Sequence, residues 1–320
     1  MSTNASRRVR VEELERVANH IKRFTFVPID GQPLPIFSAG AHVIVTMRDG
    51  TRVLRNPYSL MSSPLDTSTY QISVLRVQES RGGSAFMHER VSKGMTLEIN
   101  EPVNLFPVDR TGRKHILLAG GIGITPFMAM MAQFKHDKTN FELHYGVRSL
   151  KDAAYCDLLS GNDTPGIFIY RADEGKFIPL EQILENQPLG THLYVCGPQG
   201  MIDWVLKTAK EQGWPKENVH SELFAAPPPG REFVVKLAKS GREIVVGEHQ
   251  SILEALEQAG VDAPYLCRGG ACGQCVTAVL DVHGGMLHND HYLSDDEKRC
   301  GNRIATCVSR MDGGSLTLDL

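Results

Sequence analysis

Cys267, Cys272 and Cys275 stand in the spacing C-x4-C-x2-C, and Cys307 follows after 31 intervening residues. Four thiolates in this plant-type spacing are the ligand set of a [2Fe–2S] cluster. A loop that wraps such a cluster must turn its backbone amides toward excess negative charge. Gly269, Gly270 and Gly273 permit the positive φ and close approach this demands. Zinc is the plainer alternative, but zinc knuckles favour two C-x2-C pairs, a symmetry this run lacks. A purely structural cysteine cluster would leave the glycines without a reason. For the fourth ligand, Cys300 competes with Cys307. The segment Ala305-Thr306-Cys307-Val308-Ser309 reads as the opening of a strand that holds a side chain firmly, whereas Cys300 lies in the charged stretch 295–303, so Cys307 is preferred.

Two glycine segments offer anion chemistry. Ala119-Gly120-Gly121-Ile122-Gly123-Ile124-Thr125-Pro126 follows an apolar strand and opens a helix as G-x-G-x-x-P, with Pro126 suited to the first helical position. Its amides and the helix dipole could meet a pyrophosphate; a tight βα turn is the plainer reading. Arg81-Gly82-Gly83-Ser84 precedes a helical stretch at 85–91 and could grip a phosphate in the same way, or simply form a capped turn.

The ending Leu293-Ser294-Asp295-Asp296-Glu297-Lys298, Cys307-Val308-Ser309-Arg310 and Leu316-Thr317-Leu318-Asp319-Leu320 resembles the carboxyl end of the phthalate dioxygenase reductase family. The resemblance runs over nearly the whole chain, and within the family it is similar to the reductase components of carnitine-type Rieske monooxygenases. It implies an FMN-binding barrel, an NAD-binding domain and a carboxyl-terminal ferredoxin, in that order. It also implies Cys267, Cys272, Cys275 and Cys307 as cluster ligands, and Gly82-Gly83-Ser84 around the FMN phosphate.

Arg55-Asn56-Pro57-Tyr58-Ser59-Leu60 looks like the Arg-x-Tyr-Ser flavin motif of ferredoxin-reductase barrels. Tyr58 would lie against the isoalloxazine face and Ser59 would hydrogen-bond the N5 edge. The sequence departs from the motif at the arginine position, which is Asn56, with Arg55 one place earlier as a substitute. Cys196-Gly197-Pro198 resembles the nicotinamide border of such enzymes. Glu222-Leu223-Phe224 looks like their terminal Glu-x-Phe, whose ring covers the flavin. Read singly, Cys196 and Phe224 are ordinary core residues. The resemblance favours NADH; Arg148-Ser149, which could touch a 2′-phosphate or be solvated, leaves NADPH open.

The elements that must position these residues fall into three groups. Short strands at 42–47, 52–54, 70–77 and 95–99, punctuated by turns such as Asp49-Gly50, suggest a β-barrel over 1–109. From about 114 apolar strands at 115–119, 141–147, 167–170 and 191–196 alternate with helical stretches at 126–134, 153–159 and 180–185. That is a doubly wound α/β unit over 110–226. A proline-rich linker at 227–232 leads to an α+β ferredoxin-type domain over 233–320. There a hairpin turns at Ser240-Gly241, and a helix begins on Ser251 with Glu254 three residues on. At 320 residues the chain exceeds one compact core. Its net charge of −3 gives no basic field for nucleic acid or an anionic membrane. The opening residues lack a secretory pattern, and the longest apolar run, 116–132, is broken by glycine and Pro126. The seven cysteines, five of them in the last 54 residues, suit a reducing cytoplasm better than a disulfide scaffold.

Together these readings predict an oxidoreductase that passes electrons from NADH through FMN to a [2Fe–2S] cluster and on to a protein acceptor. By resemblance the acceptor is a Rieske oxygenase component, and the chain is expected to be a monomer. A di-iron monooxygenase as acceptor is a second reading, against which the carboxyl-terminal position of the cluster speaks. A non-enzymatic metal-binding module is a third. Cys156 and Cys300 carry no role.

Overall fold

The structure is a computed structural model and describes residues 6–50, 52–78, 81–160, 166–224 and 229–320. Residues 225–228, where the α/β unit is expected to end and the proline-rich linker to begin, lie outside the described residues, as do the first five residues.

Seven antiparallel strands form the first sheet: β1 (Ser6–Ala18), β2 (Ile21–Pro28), β3 (Ala41–Asp49), β4 (Arg52–Ser59), β5 (Tyr70–Leu75), β6 (Thr96–Asn100) and β7 (Val103–Asn104). Their order is β4-β3-β6-β1-β2-β5, with β7 on β3. The sheet curls until its edge strands β4 and β5 touch. Alternation closes the inside: Val9 and Val11 of β1, Phe24 and Phe26 of β2, and Val43, Val45 and Met47 of β3 are all buried. Helix α1 (Gly83–Glu89) packs against β3, β4 and β5.

The second sheet is wholly parallel, in the order β10-β9-β8-β11-β12. Its strands are β8 (Lys114–Gly120), β9 (Asn140–Val147), β10 (Ile167–Arg171), β11 (Thr191–Cys196) and β12 (Val219–Glu222). They alternate with α2 (Thr125–Asp137), α3 (Cys156–Ser160), α4 (Leu180–Leu184) and α5 (Gln199–Glu211). Strand β8 is apolar on both faces because both are covered. Leu117 and Ala119 join a core shared with the barrel, while Ile116 and Leu118 pack with Leu180, Ile202 and Val205 under α4 and α5. Helix α5 and strand β12 extend the alternation beyond the elements read from the sequence.

The third unit has β13 (Phe233–Leu237), β14 (Glu243–Val246), β15 (Val276–His283), β16 (Met286–Leu287), β17 (Arg303–Ala305), β18 (Arg310–Met311) and β19 (Ser315–Leu318), with α6 (Ile252–Gln258) and α7 (Asp295–Cys300). Its main sheet runs β14-β13-β19-β15-β17. Both helices start on full capping boxes, Ser251 with Glu254 and Ser294 with Glu297. Arg310, 1% exposed, donates to the carbonyls of Gln250, Gly230, Arg231 and Gly247 and so ties the linker's end to the domain. Cys307 lies on the turn after β17 rather than at a strand's opening, since the ladder stops at Ala305 where the chain bends toward the cysteine loop.

Candidate redox site

Residues 267–275 form a loop between α6 and β15, and the thiols converge there. Cys267 is hydrogen-bonded by Cys272 and Cys307, and the Sγ atoms of Cys275 and Cys307 lie 3.1 Å apart. The Cys272 and Cys307 thiols, with the Gly269 and Ala271 amides, hold Cys267 far below the usual thiol range. The Gly269 amide lies 3.4 Å from Cys267 Sγ. Gly270 and Gly273 take φ of +75° and +73°. A Cβ on Gly270 would stand 2.8 Å from Val308 Cγ2, and one on Gly273 only 2.3 Å from the Tyr292 ring. The donor set and the glycine cradle therefore fit a [2Fe–2S] cluster. Cys300 is exposed on α7 and lies away from this loop, beside Asp296 and Arg303.

A cavity of about 740 Å³ reaches this loop and is lined by all three units. Cys267 and Cys307 form one end. The wall comes from β4, where Arg55, Asn56, Tyr58 and Ser59 line it, and from Arg81, Gly83 and Ser84 at the start of α1. Burial pushes the Tyr58 hydroxyl above its ordinary range, and Asn56 Nδ2 donates to it at 3.4 Å. A Cβ on Gly83 would lie 2.3 Å from Asn56 Nδ2. The asparagine that replaces the motif's arginine thus closes over the glycine turn. Ser59 Oγ is buried without a partner among the described residues. This wall fits a flavin mononucleotide: an aromatic face, an unpartnered hydroxyl and a glycine–amide cradle. Gly82, at φ +114°, makes the turn but does not line the cavity. Leu60 is packed in the barrel core instead, with its amide on the Ala41 carbonyl.

The arginines have partners that the sequence did not reveal. Arg55 Nη1 donates to Glu257 Oε2 at 2.9 Å, and Arg81 Nη1 to Glu254 Oε2 at 2.8 Å. Both acids belong to α6, and Glu257 also pairs with Arg268 of the cysteine loop. An arginine has five donors, so each can hold an acid and still face the cavity. The local signal was only the capping-box glutamate, which reads as a helix start; no spacing rule joins residues 173 or 202 apart.

The opposite wall is the carboxyl edge of the parallel sheet. The strand order reverses between β8 and β11, so their ends flank the topological switch point where open sheets bind ligands. Gly120, Gly121 and Gly123 turn from β8 toward α2, with Gly121 at φ +54°. A Cβ on Gly123 would meet the Cys196 carbonyl at 2.1 Å, and one on Gly120 would meet Pro198 Cδ at 2.8 Å. Pro126 sits in the first turn of α2 and Pro198 caps α5. The glycines therefore let the β8 turn approach Cys196-Gly197-Pro198. Thr125 and Glu222 reach the cavity, and Phe224, 45% exposed, borders it. Cys196 remains inside the sheet beside Glu222, and burial raises its thiol pKa. Burial lifts the Glu222 carboxyl to about 8, and its Oε2 has no partner among the described residues. Arg148 and Ser149 do not line the cavity; the Arg148 carbonyl accepts from Asp173 N at 3.0 Å.

Two family models match: the 2Fe-2S iron-sulfur cluster binding domain over residues 235–312, and the N-terminal domain of the dimethylamine monooxygenase subunit DmmA-like family over 102–219. The chain is 46% identical to the carnitine monooxygenase reductase subunit of Acinetobacter baumannii, covering 97% of this chain and 96% of that protein. It is 42% identical to the heme-dependent oxidative N-demethylase beta subunit of Ectopseudomonas mendocina, covering 98% of each. The solved structure of phthalate dioxygenase reductase, described as modular for electron transfer from pyridine nucleotides to [2Fe-2S], superposes with a TM-score of 0.89. It is 34% identical and covers 99% of this chain and 98% of that one. The chain belongs to the phthalate dioxygenase reductase family. This family member is an oxidoreductase and a flavoprotein, built from a flavin barrel, a nucleotide domain and a [2Fe–2S] ferredoxin domain, with FMN and NADH as its cofactors.

Proposed function

We propose that the chain is the reductase of a two-component Rieske oxygenase, with residues 1–109 binding FMN, 110–226 binding NADH, 227–232 as linker and 233–320 carrying the cluster. One observation carries this reading: a single cavity is lined by the flavin strand, the nucleotide-sheet edge and two of the cluster cysteines. FMN supplies the exchange between nicotinamide, which gives two electrons as a hydride, and an iron–sulfur cluster, which takes one. Tyr58 covers the ring face and Ser59 offers its hydroxyl to the ring edge. Arg55, Asn56 and Arg81, with the amides of Gly83 and Ser84, hold the phosphate. Gly120, Gly121, Gly123, Thr125 and Pro126 seat the pyrophosphate at the start of α2. Cys196, Gly197, Pro198 and Glu222 border the nicotinamide, and Phe224 shields it from water. Cys267, Cys272, Cys275 and Cys307 hold the iron.

The relatives named as reductase or beta subunits support an oxygenase as electron acceptor. A haem-dependent acceptor is a specific second reading, favoured by the 42% identity to the demethylase subunit. Among the described residues no helix is long and apolar enough to cross a membrane. The free cysteines fit a cytoplasmic electron carrier, which would act as a monomer. The test is to purify the chain, assay flavin, iron and acid-labile sulfide, and reconstitute NADH-driven turnover with the oxygenase encoded beside its gene. Stoichiometric FMN and cluster with turnover by a Rieske protein supports the reading. Turnover with a haem protein alone selects the second acceptor, and absence of flavin removes the relay.

A further inference from the structure

His42 belongs to none of the motifs, yet it lies where the two redox groups approach. It stands on β3, directly across from Ser59 of β4, and is 6% exposed. It lines the same cavity as Tyr58, Ser59 and Cys267. Its Nε2 is buried with no hydrogen-bond partner among the described residues. A buried polar atom left alone is costly, so one kept at a cavity wall points to a partner that occupies the cavity or borders it when loaded. Burial lowers the imidazole pKa to about 4, and the one charged group that acts on it is Cys267. An imidazole has at least one N–H to give in either protonation state. A cluster-bound Cys267 offers a thiolate sulfur as acceptor.

We propose that His42 is a positioning residue for the electron step: in the loaded protein its Nε2–H donates to the sulfur of Cys267 and makes the cluster easier to reduce relative to the flavin. The inference rests on the assignment of Cys267 as a cluster ligand. Hydrogen bonds to cluster sulfurs and ligand orientation are the levers by which a protein sets such potentials. One electron leaves the reduced flavin and enters the cluster, and His42 keeps its proton throughout. The donor offsets the negative charge that the cluster gains, which favours the electron on the cluster side of the gap.

The experiment uses the full-length, cofactor-loaded protein and its His42→Leu and His42→Gln variants. Flavin and iron are assayed, then both midpoint potentials are titrated and the reduced cluster is examined by electron paramagnetic resonance. In His42→Leu the electron distribution should shift about tenfold from cluster to flavin, equivalent to about 59 mV for one electron. The cluster's resonance should shift while the flavin midpoint stays. His42→Gln, which keeps a side-chain donor, should recover most of both. An unmoved cluster in His42→Leu, or a shift at the flavin instead, overturns the proposal. So does equal behaviour of the two variants, including failure of both to assemble a cluster. Wild-type protein without iron and sulfide would instead remove the functional reading itself, so the two failures are distinguishable.

Discussion

Glu222 ends β12 with a carboxyl that burial lifts from 4.5 to about 8. Between those values the folded chain holds a proton that the unfolded chain has released. The stability tied to this group is therefore full below the ordinary carboxylate value, falls as pH rises, and is gone above about 8. Glu222→Gln should flatten that decline, measured as unfolding free energy by urea titration at pH 5, 7 and 9. The cysteines separate just as sharply. Cys307→Ser should abolish or destabilise the cluster, read as lost iron, while NADH still bleaches the flavin absorbance. Cys300→Ser, at an exposed position on α7, should load normally. A normal cluster in the first and loss in the second would reverse the assignment. At this scale the thiol spacing was legible because ligands must be particular residue types. The unpartnered nitrogen of His42 was not, because its meaning depends on what faces it across the cavity.

The glycine turn after β8 works as an element, since it packs against the end of β11. Gly123→Ala places a methyl 2.1 Å from the Cys196 carbonyl and must push the two strand ends apart. A cost of about 1–3 kcal/mol is expected, as for overpacked cores, with NADH affinity weakened at least about tenfold. Gly200→Ala, where a methyl would meet open space, is the control. Thermal unfolding and the KM for NADH read both effects, and equal behaviour of the two variants would show that the close approach is unimportant. Apolar strand runs and capping residues made these elements readable. Helix α5 buries Ile202, Val205 and Ala209 at helical spacing, so its stripe was equally legible although it was not among the elements read from the sequence.

Across the whole molecule, the arginines of the flavin wall are also the contacts that dock the ferredoxin unit. The pairs Arg55–Glu257 and Arg81–Glu254 have side chains only 14–25% exposed, so bulk salt screens them less than surface pairs. The double variant Glu254→Gln with Glu257→Gln should slow NADH-driven cluster reduction about three- to tenfold. Flavin reduction, which does not cross this interface, should be spared. Stopped-flow absorbance resolves the two phases, and an unchanged cluster phase would show that docking does not depend on these pairs.

The sequence by itself determined the chemistry: which thiols could bind iron, which glycine turns could meet phosphates, and that three cofactor-sized units follow one another. These follow from residue type and local spacing, which the covalent chain preserves. The tertiary structure alone decided that residues of all three units line one cavity, that Leu60 turns inward, and that α6 meets Arg55 and Arg81. Each of those is a contact between residues far apart in the chain. Such contacts are set by how sheets curl and pack, a sum over many buried side chains that no local pattern contains.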